Sequence, residues 1–77
     1  MVKAYVLIQV EPGTTGPVVE AVLQVKGVIS ADGVTGPYDV VALAEARNLD
    51  ELNRRVIGSI QTIEGVLRTL PCTVVRL

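Results

Sequence analysis

The sequence predicts an α+β plait, four strands and two helices in the order β-α-β-β-α-β, folded as a single domain over residues 1–77. Three observations predict it. Four runs of β-branched and aliphatic residues alternate with two segments of helical period, and turn clusters separate them. A faint internal repeat at an offset of 38 maps Val18, Val22, Val25, Gly27 and Val28 onto Val56, Ile60, Ile63, Gly65 and Val66, so the two halves share a helix–Gly–Val junction. The chain is also small for its apolar content: 77 residues, 49% hydrophobic, with one cysteine and no histidine. A domain of this size buries only about 60% of its unfolded surface and usually needs a staple. Cys72 alone makes no internal disulfide, and zinc lacks ligands, so the remaining staple is a second subunit.

The elements follow in order. Val2 to Glu11 reads as a strand that ends at Pro12-Gly13. Its faces, Ala4/Val6/Ile8/Val10 and Tyr5/Leu7/Gln9, are both largely apolar, which predicts a strand covered on both sides. After the turn cluster Pro12-Gly13-Thr14-Thr15-Gly16, Pro17 suits the first helical position with Thr15 or Gly16 as cap. Val18, Val22 and Val25, with Val19 and Leu23, recur at helical spacing, and Gly27 stops the helix. Val28 to Gly36 is a second strand weakened by Gly33, Gly36-Pro37 a turn, and Tyr38 to Ala46 a third strand, antiparallel to the second because the connection is short. Asn48 caps the second helix with Glu51 three residues on. Leu49, Leu52, Val56, Ile60 and Ile63 form its apolar stripe, and Gly58 costs about 1 kcal/mol there relative to Ala, which suggests a close approach to the sheet. Gly65 ends that helix. Val66 to Leu77 is the fourth strand, and Pro71, unable to donate to a ladder, marks it as an edge. Two such βαβ halves form a ferredoxin-like plait, with strands one and three central.

Two helices cover one face of such a sheet. The other face carries apolar side chains from both central strands, more than a monomer leaves in water, and no residues remain for a covering tail. The expectation is dimerisation face to face through the sheet.

Composition excludes several functions. A net charge of −1 with 3% aromatic residues lacks the basic excess and stacking groups of a nucleic-acid binder. No apolar run is long enough to span a membrane, and no export signal opens the chain. With a lone thiol, this predicts a cytoplasmic protein. Without histidine, Cys72 has no activating base and reads as a small core or interface hydrophobe. No catalytic residue, metal ligand or cofactor site stands out, and an enzyme is not expected.

Asp39 is the exception among the carboxylates. It sits in Val34-Thr35-Gly36-Pro37-Tyr38-Asp39, between two apolar strands. In one reading it accepts backbone N–H bonds and tightens the turn. In the other it pairs with a ligand ammonium while N–H groups near Gly36 receive a carboxylate. Adjacent cationic and anionic subsites suit an α-amino acid.

AYVLIQVEPG at Ala4 to Gly13, KGVISADGVTGPYDVVALAEA at Lys26 to Ala46 and LDELNRRVIGSIQTIEGVLRT at Leu49 to Thr69 together resemble the RAM domain, the C-terminal effector-binding domain of Lrp/AsnC transcriptional regulators. The VTGPYD segment is the most specific part. The chain begins on the first strand, as in stand-alone RAM proteins that lack the DNA-binding domain. The resemblance implies sheet-to-sheet dimers that assemble into octamers or decamers, with a small amino acid bound between dimers. It places the ligand-binding residues at Val34, Thr35, Gly36, Tyr38 and Asp39. It adds Thr69 from a T-x-[TS] pattern whose second hydroxyl position is Pro71 here. An amino-acid-binding oligomerisation module is therefore expected, with no direct binding to nucleic acid or membrane. The alternative is a ligand-free partner that co-assembles with a full-length Lrp/AsnC regulator. Plait monooxygenases, metal chaperones and ACT-like domains share the fold but not the VTGPYD segment or the required side chains.

Overall fold

The computed structural model describes residues 1–75. Strand β1 (Val2–Val10) leads into helix α1 (Thr15–Leu23), then β2 (Val28–Gly33) and β3 (Val40–Ala46). Helix α2 (residues 49–61) and strand β4 (Val66–Thr73) complete the plait. The sheet order is β2-β3-β1-β4, all neighbours antiparallel. Strands one and three are thus central, and the strands carrying Gly33 and Pro71 are the edges, as expected. Among the described residues no helix is long and apolar enough to cross a membrane.

Both helices lie on one face, and alternation along the strands decides what they cover. Ala4, Val6 and Ile8 of β1 stand opposite Ala44, Ala42 and Val40 of β3. All six are fully buried, against Val18 and Val22 of α1 and Leu52, Val56, Ile57 and Ile60 of α2. This core contains no aromatic ring and relies on small side chains, with Ala42 and Ala44 at the centre of the sheet.

Several boundaries differ from the sequence reading, each for a local reason. Helix α1 begins earlier, with Thr14 at the cap position. The Thr14 N–H and hydroxyl both donate to the Glu11 carbonyl, at 3.1 and 2.7 Å, so the turn is already closed there. Pro17 becomes the third helical residue, where its missing N–H is still among the four that have no intrahelical partner. The helix ends at Leu23 rather than running to Gly27. Strand β2 stops at Gly33 and β3 starts at Val40, so the connection is a six-residue loop rather than a Gly-Pro turn. Strand β4 ends at Thr73, with the Val74 N–H donating to the Lys3 carbonyl beyond it. The expected continuation through residues 76–77 lies outside the described residues.

Helix α2 contains a π-helical turn, Leu52–Ile57, between α-helical turns Leu49–Glu51 and Gly58–Gln61. Its fully inward positions, Leu52, Val56 and Ile60, step by four residues. Each such step overshoots a regular turn by about 40°, and the wider π turn takes up that excess. The predicted stripe is corrected at two points: Leu49 is exposed, and Ile57 is buried. The cap is as read, with Asn48 Oδ1 accepting the Glu51 N–H at 2.8 Å. The returning bond goes one residue further than a capping box, from the Arg47 N–H to Glu51 Oε1 at 3.1 Å. With the Arg47 guanidinium on the other oxygen, it holds the Glu51 carboxyl below the usual carboxylate range.

The internal repeat has a physical basis in two glycines. Gly27 and Gly65 both have strongly positive φ, +101 and +98. A Cβ on Gly27 would lie 2.8 Å from Cγ2 of Val56 in α2, and one on Gly65 would lie 3.1 Å from Cγ2 of Val18 in α1. Val18 and Val56 are themselves repeat mates. Each glycine carbonyl also accepts an equivalent N–H, from Glu45 and Glu11, both at 2.8 Å. Gly58 differs. Its backbone is right-handed helical, and a Cβ there would meet only the Asn53 carbonyl oxygen at 3.8 Å. The expected close approach to the sheet does not exist.

These differences predict a graded alanine series. Gly27→Ala costs more than the roughly 1–2 kcal/mol of left-handed strain, because a contact is violated as well. Gly13→Ala, with φ +83 and open space around it, costs only the strain. Gly58→Ala raises stability by about 0.5–1 kcal/mol. Urea denaturation of the three variants checks the order.

Candidate functional site

The loop over residues 34–39 is held by one residue. Asp39 accepts the Val34 N–H on its carbonyl and donates its own N–H to the Ile8 carbonyl, both at 2.9 Å. Its carboxylate Oδ2 accepts the Val10 N–H, also at 2.9 Å. The β1–β3 ladder ends at the Ile8–Val40 pair, so the Asp39 side chain supplies the acceptor that the strand backbone no longer provides. The turn-tightening reading of Asp39 is therefore realised. One carboxylate oxygen is committed to Val10, and Oδ1 remains for a further partner.

Upstream of the loop, α1 approaches closely: a Cβ on Gly33 would lie 3.1 Å from the Thr15 methyl. The weak point of β2 is thus where the start of the helix packs. Val34, Thr35 and Gly36 are exposed, and Tyr38 and Asp39 are half-buried. Gly36 has φ +151, and a Cβ placed on it would meet no atom within 4 Å, so backbone freedom rather than crowding requires glycine.

Five of the six predicted residues therefore share one loop. Thr69 does not join them. It pairs with Ile8 from the β4 side while Val40 pairs with Ile8 from the β3 side. That places Thr69 two strand spacings, about 10 Å, from the start of β3. Its hydroxyl accepts from Gln61 Nε2 at 3.1 Å, a partner on α2 that no spacing in the sequence indicates. Pro71 stands opposite Val6 on the same edge strand.

The open face of the sheet lies behind this site. Tyr5 and Leu7 of β1 stand opposite Leu43 and Val41 of β3, and opposite Cys72 and Leu70 of β4. Tyr5 is 48% exposed and Leu70 44%. Cys72 is exposed, which corrects the core option for this thiol and leaves the face option. Among the described residues no group of three or more His, Cys, Asp or Glu side chains is placed to hold a metal ion.

The β2-β3-β1-β4 plait alone is shared by proteins of many functions, and comparison with known proteins specifies the class to which this one belongs. Residues 3–76 match the model of the Lrp/AsnC ligand binding domain, and the chain belongs to that family. The HTH-type transcriptional regulator FL11 of Pyrococcus furiosus is 30% identical over 66 residues, which cover 83% of this chain and 44% of that protein. The chain thus spans less than half the length of this curated relative. TTHA0845 from Thermus thermophilus superposes with TM-score 0.91 at 35% identity, covering 100% of this chain and 96% of the other. The transcriptional regulator NMB0573 from Neisseria meningitidis, solved as an L-Met complex, shares the fold with TM-score 0.82 at 16% identity, covering 97% of this chain and 50% of the other.

The two roles of Asp39 separate by substitution. Asp39→Ala leaves the Val10 N–H unpaired and costs about 1–3 kcal/mol. Asp39→Asn keeps an oxygen acceptor for that N–H and costs less than about 1 kcal/mol. Thermal unfolding of the pair, with hydrogen exchange at Val10, measures the difference.

Proposed function

We propose that this chain is an amino-acid effector-binding and oligomerisation module, related to Lrp/AsnC regulators and without catalytic activity, that works in the cytoplasm. The observation that carries the reading is the Asp39 clamp. One carboxylate oxygen is fixed on the Val10 N–H, so the other is held in a defined direction beside exposed loop backbone. A preorganised carboxylate next to free N–H groups offers complementary partners to an ammonium and a carboxylate. Membership of a ligand-binding family supports an effector role, and NMB0573, a regulator of this fold solved as an L-Met complex, supports an amino acid as the ligand class.

Val34, Thr35 and Gly36 are exposed in the single subunit, so the remaining walls come from another copy. Tyr5, Leu7, Val41, Leu43, Leu70 and Cys72 form the face through which two copies pair. Dimers then associate, as an octamer or decamer, around the loops. Thr69 would close the site from the β4 side, about two strand spacings away. The second reading, a ligand-free partner of a full-length regulator, draws on Pro71, which removes a hydroxyl from the same edge strand.

Two measurements test this. In a thermal-shift screen of the common amino acids, at least one raises the melting temperature by about 4 °C or more at saturation, since a ligand bound only to the folded state stabilises it. Asp39→Asn keeps the fold and loses that shift. If no amino acid acts at roughly millimolar concentration, the ligand-free reading stands instead. Light scattering gives a mass of at least two subunits, and Leu43→Lys, in the middle of the open face, lowers it. A wild-type mass of 8.2 kDa refutes the face-to-face pairing.

A further inference from the structure

At the end of the sheet opposite the 34–39 loop, the subunit has a cleft of about 770 Å³, within the range of small-ligand sites. Four segments build it: Met1 at the start of the chain, the turn at Lys26-Gly27, Glu45 to Arg47 at the end of β3, and α2 from Glu51 to Ser59, which contains the π-helical turn. Four of the chain's seven Lys and Arg residues line it, Lys26, Arg47, Arg54 and Arg55. Two carboxylates, Glu45 and Glu51, line it too. This is a local positive excess in a chain whose net charge is −1.

Not all of that charge is free. Arg47 is paired to Glu51 at 3.0 Å and Arg54 to Asp50 at 2.8 Å. Lys26 and Arg55 have no ion pair among the described residues. The walls are firm, because the Gly27 carbonyl is bonded to the Glu45 N–H and Gly27 packs directly on Val56. The π turn brings the consecutive residues Arg54, Arg55 and Val56 all to the cleft. Three consecutive residues of a regular helix fan over about 200°. Single π turns inside helices recur at functional sites.

The internal repeat supplies a control within the same molecule. The fold uses the Gly–Val junction twice, at Gly27–Val56 and at Gly65–Val18. The mates of Lys26, Arg54 and Arg55, 38 residues away, are Glu64, Gly16 and Pro17. Helix α1 is a single nine-residue α-helix, whereas α2 is four residues longer and holds the π turn. The scaffold therefore closes the same junction without basic side chains, and their presence on one side only is not a requirement of folding.

We propose that this cleft is a second binding site, for a small phosphate-bearing anion, distinct from the amino-acid site and complete within one subunit. Lys26, and Arg55 whose charge also acts on Glu51 without a direct ion pair, supply two cations for a dianionic phosphate. Arg54, whose pairing with Asp50 is solvent-exposed, is weakly held and can turn its planar fork to the same group. A nucleic acid fits less well, since the site is a concavity in an acidic chain rather than a basic ridge. A free phosphate or diphosphate and a nucleotide share the recognised chemistry.

The test is isothermal titration of the full chain with pyrophosphate, AMP and ATP at low ionic strength. The expected result is saturable binding by at least one of them, weakened by added salt. The double variant Lys26→Gln/Arg55→Gln should lose about tenfold or more in affinity, with its melting temperature unchanged. Arg68→Gln, on β4 outside the cleft, should bind as the wild type does. Pyrophosphate and ATP binding equally assigns the site to the phosphates alone, and tighter ATP binding extends it to the nucleoside. The proposal is overturned if none of the three saturates, if the double variant binds unchanged, or if Arg68→Gln loses as much. Duplex DNA that competes through Lys26 and Arg55 better than any small phosphate would also overturn it.

Discussion

The plait depends on one contact made twice, a glycine backbone pressed against a valine of the opposite helix. Gly27 follows α1 but packs on Val56 of α2, and Gly65 follows α2 but packs on Val18 of α1. Each helix is thereby locked to the turn that leaves the other. Each glycine carbonyl then takes an N–H from the end of a central strand, Glu45 of β3 or Glu11 just past β1. One residue type at one φ value couples both helices, both crossovers and both central strands. No larger residue substitutes, since the positive φ and the missing Cβ are needed together.

This exchange explains why a chain with an all-aliphatic core folds to one arrangement. Ala, Val, Ile and Leu pack tolerantly, and a core built of them is weakly specified by shape alone. The glycine contacts and the Asp39 clamp add directional constraints at both ends of the sheet. The helix-facing side is thereby closed, while Tyr5, Leu7, Val41 and Leu43 remain on the other side without a partner in the subunit. Part of the apolar excess of the composition lies on that face, and the proposed subunit pairing would cover it, a common route to stability for a domain of this size.

The legible features and the hidden ones differ in physical kind. Strand order, edge strands and the helix–Gly–Val repeat follow from periodicity and backbone chemistry, which single residues announce: Pro71 for an edge, Gly27 for a left-handed turn, Asn48 for a cap. The π turn is not legible, because it arises from the match between α2 and the sheet it covers. The exposure of Leu49 and the burial of Ile57 are hidden for the same reason. The loop reads too short in sequence by three residues on the β2 side and two on the β3 side, because Val34, Thr35 and Tyr38 have strand-forming side chains and only the Asp39 bonds to Ile8 and Val10 reveal where pairing stops. Asp39 itself is legible as unusual, while the choice between its two readings needs the position of Val10, twenty-nine residues away. The basic cleft is invisible for a related reason: its residues are scattered over four segments and the overall charge is slightly negative.

With the two proposed sites, the ends of the sheet differ in how binding would couple to assembly. In the proposed assembly, the loop exposed in one subunit becomes an enclosed site only when another copy covers it. A ligand bound there would favour the assembled state by its differential affinity, and such coupling is reciprocal. The proposed anion cleft, lined by four segments of the same chain, has no such requirement, and an anion bound there would stabilise each subunit without favouring contact between subunits. Strand β3 (Val40–Ala46) connects the two, starting next to the Asp39 clamp and bonding through the Glu45 N–H to the Gly27 carbonyl near its other end. Its inner face is buried core and its outer face carries Val41 and Leu43, so a shift in the proposed subunit pairing would act on a strand that, like β1, borders both ends.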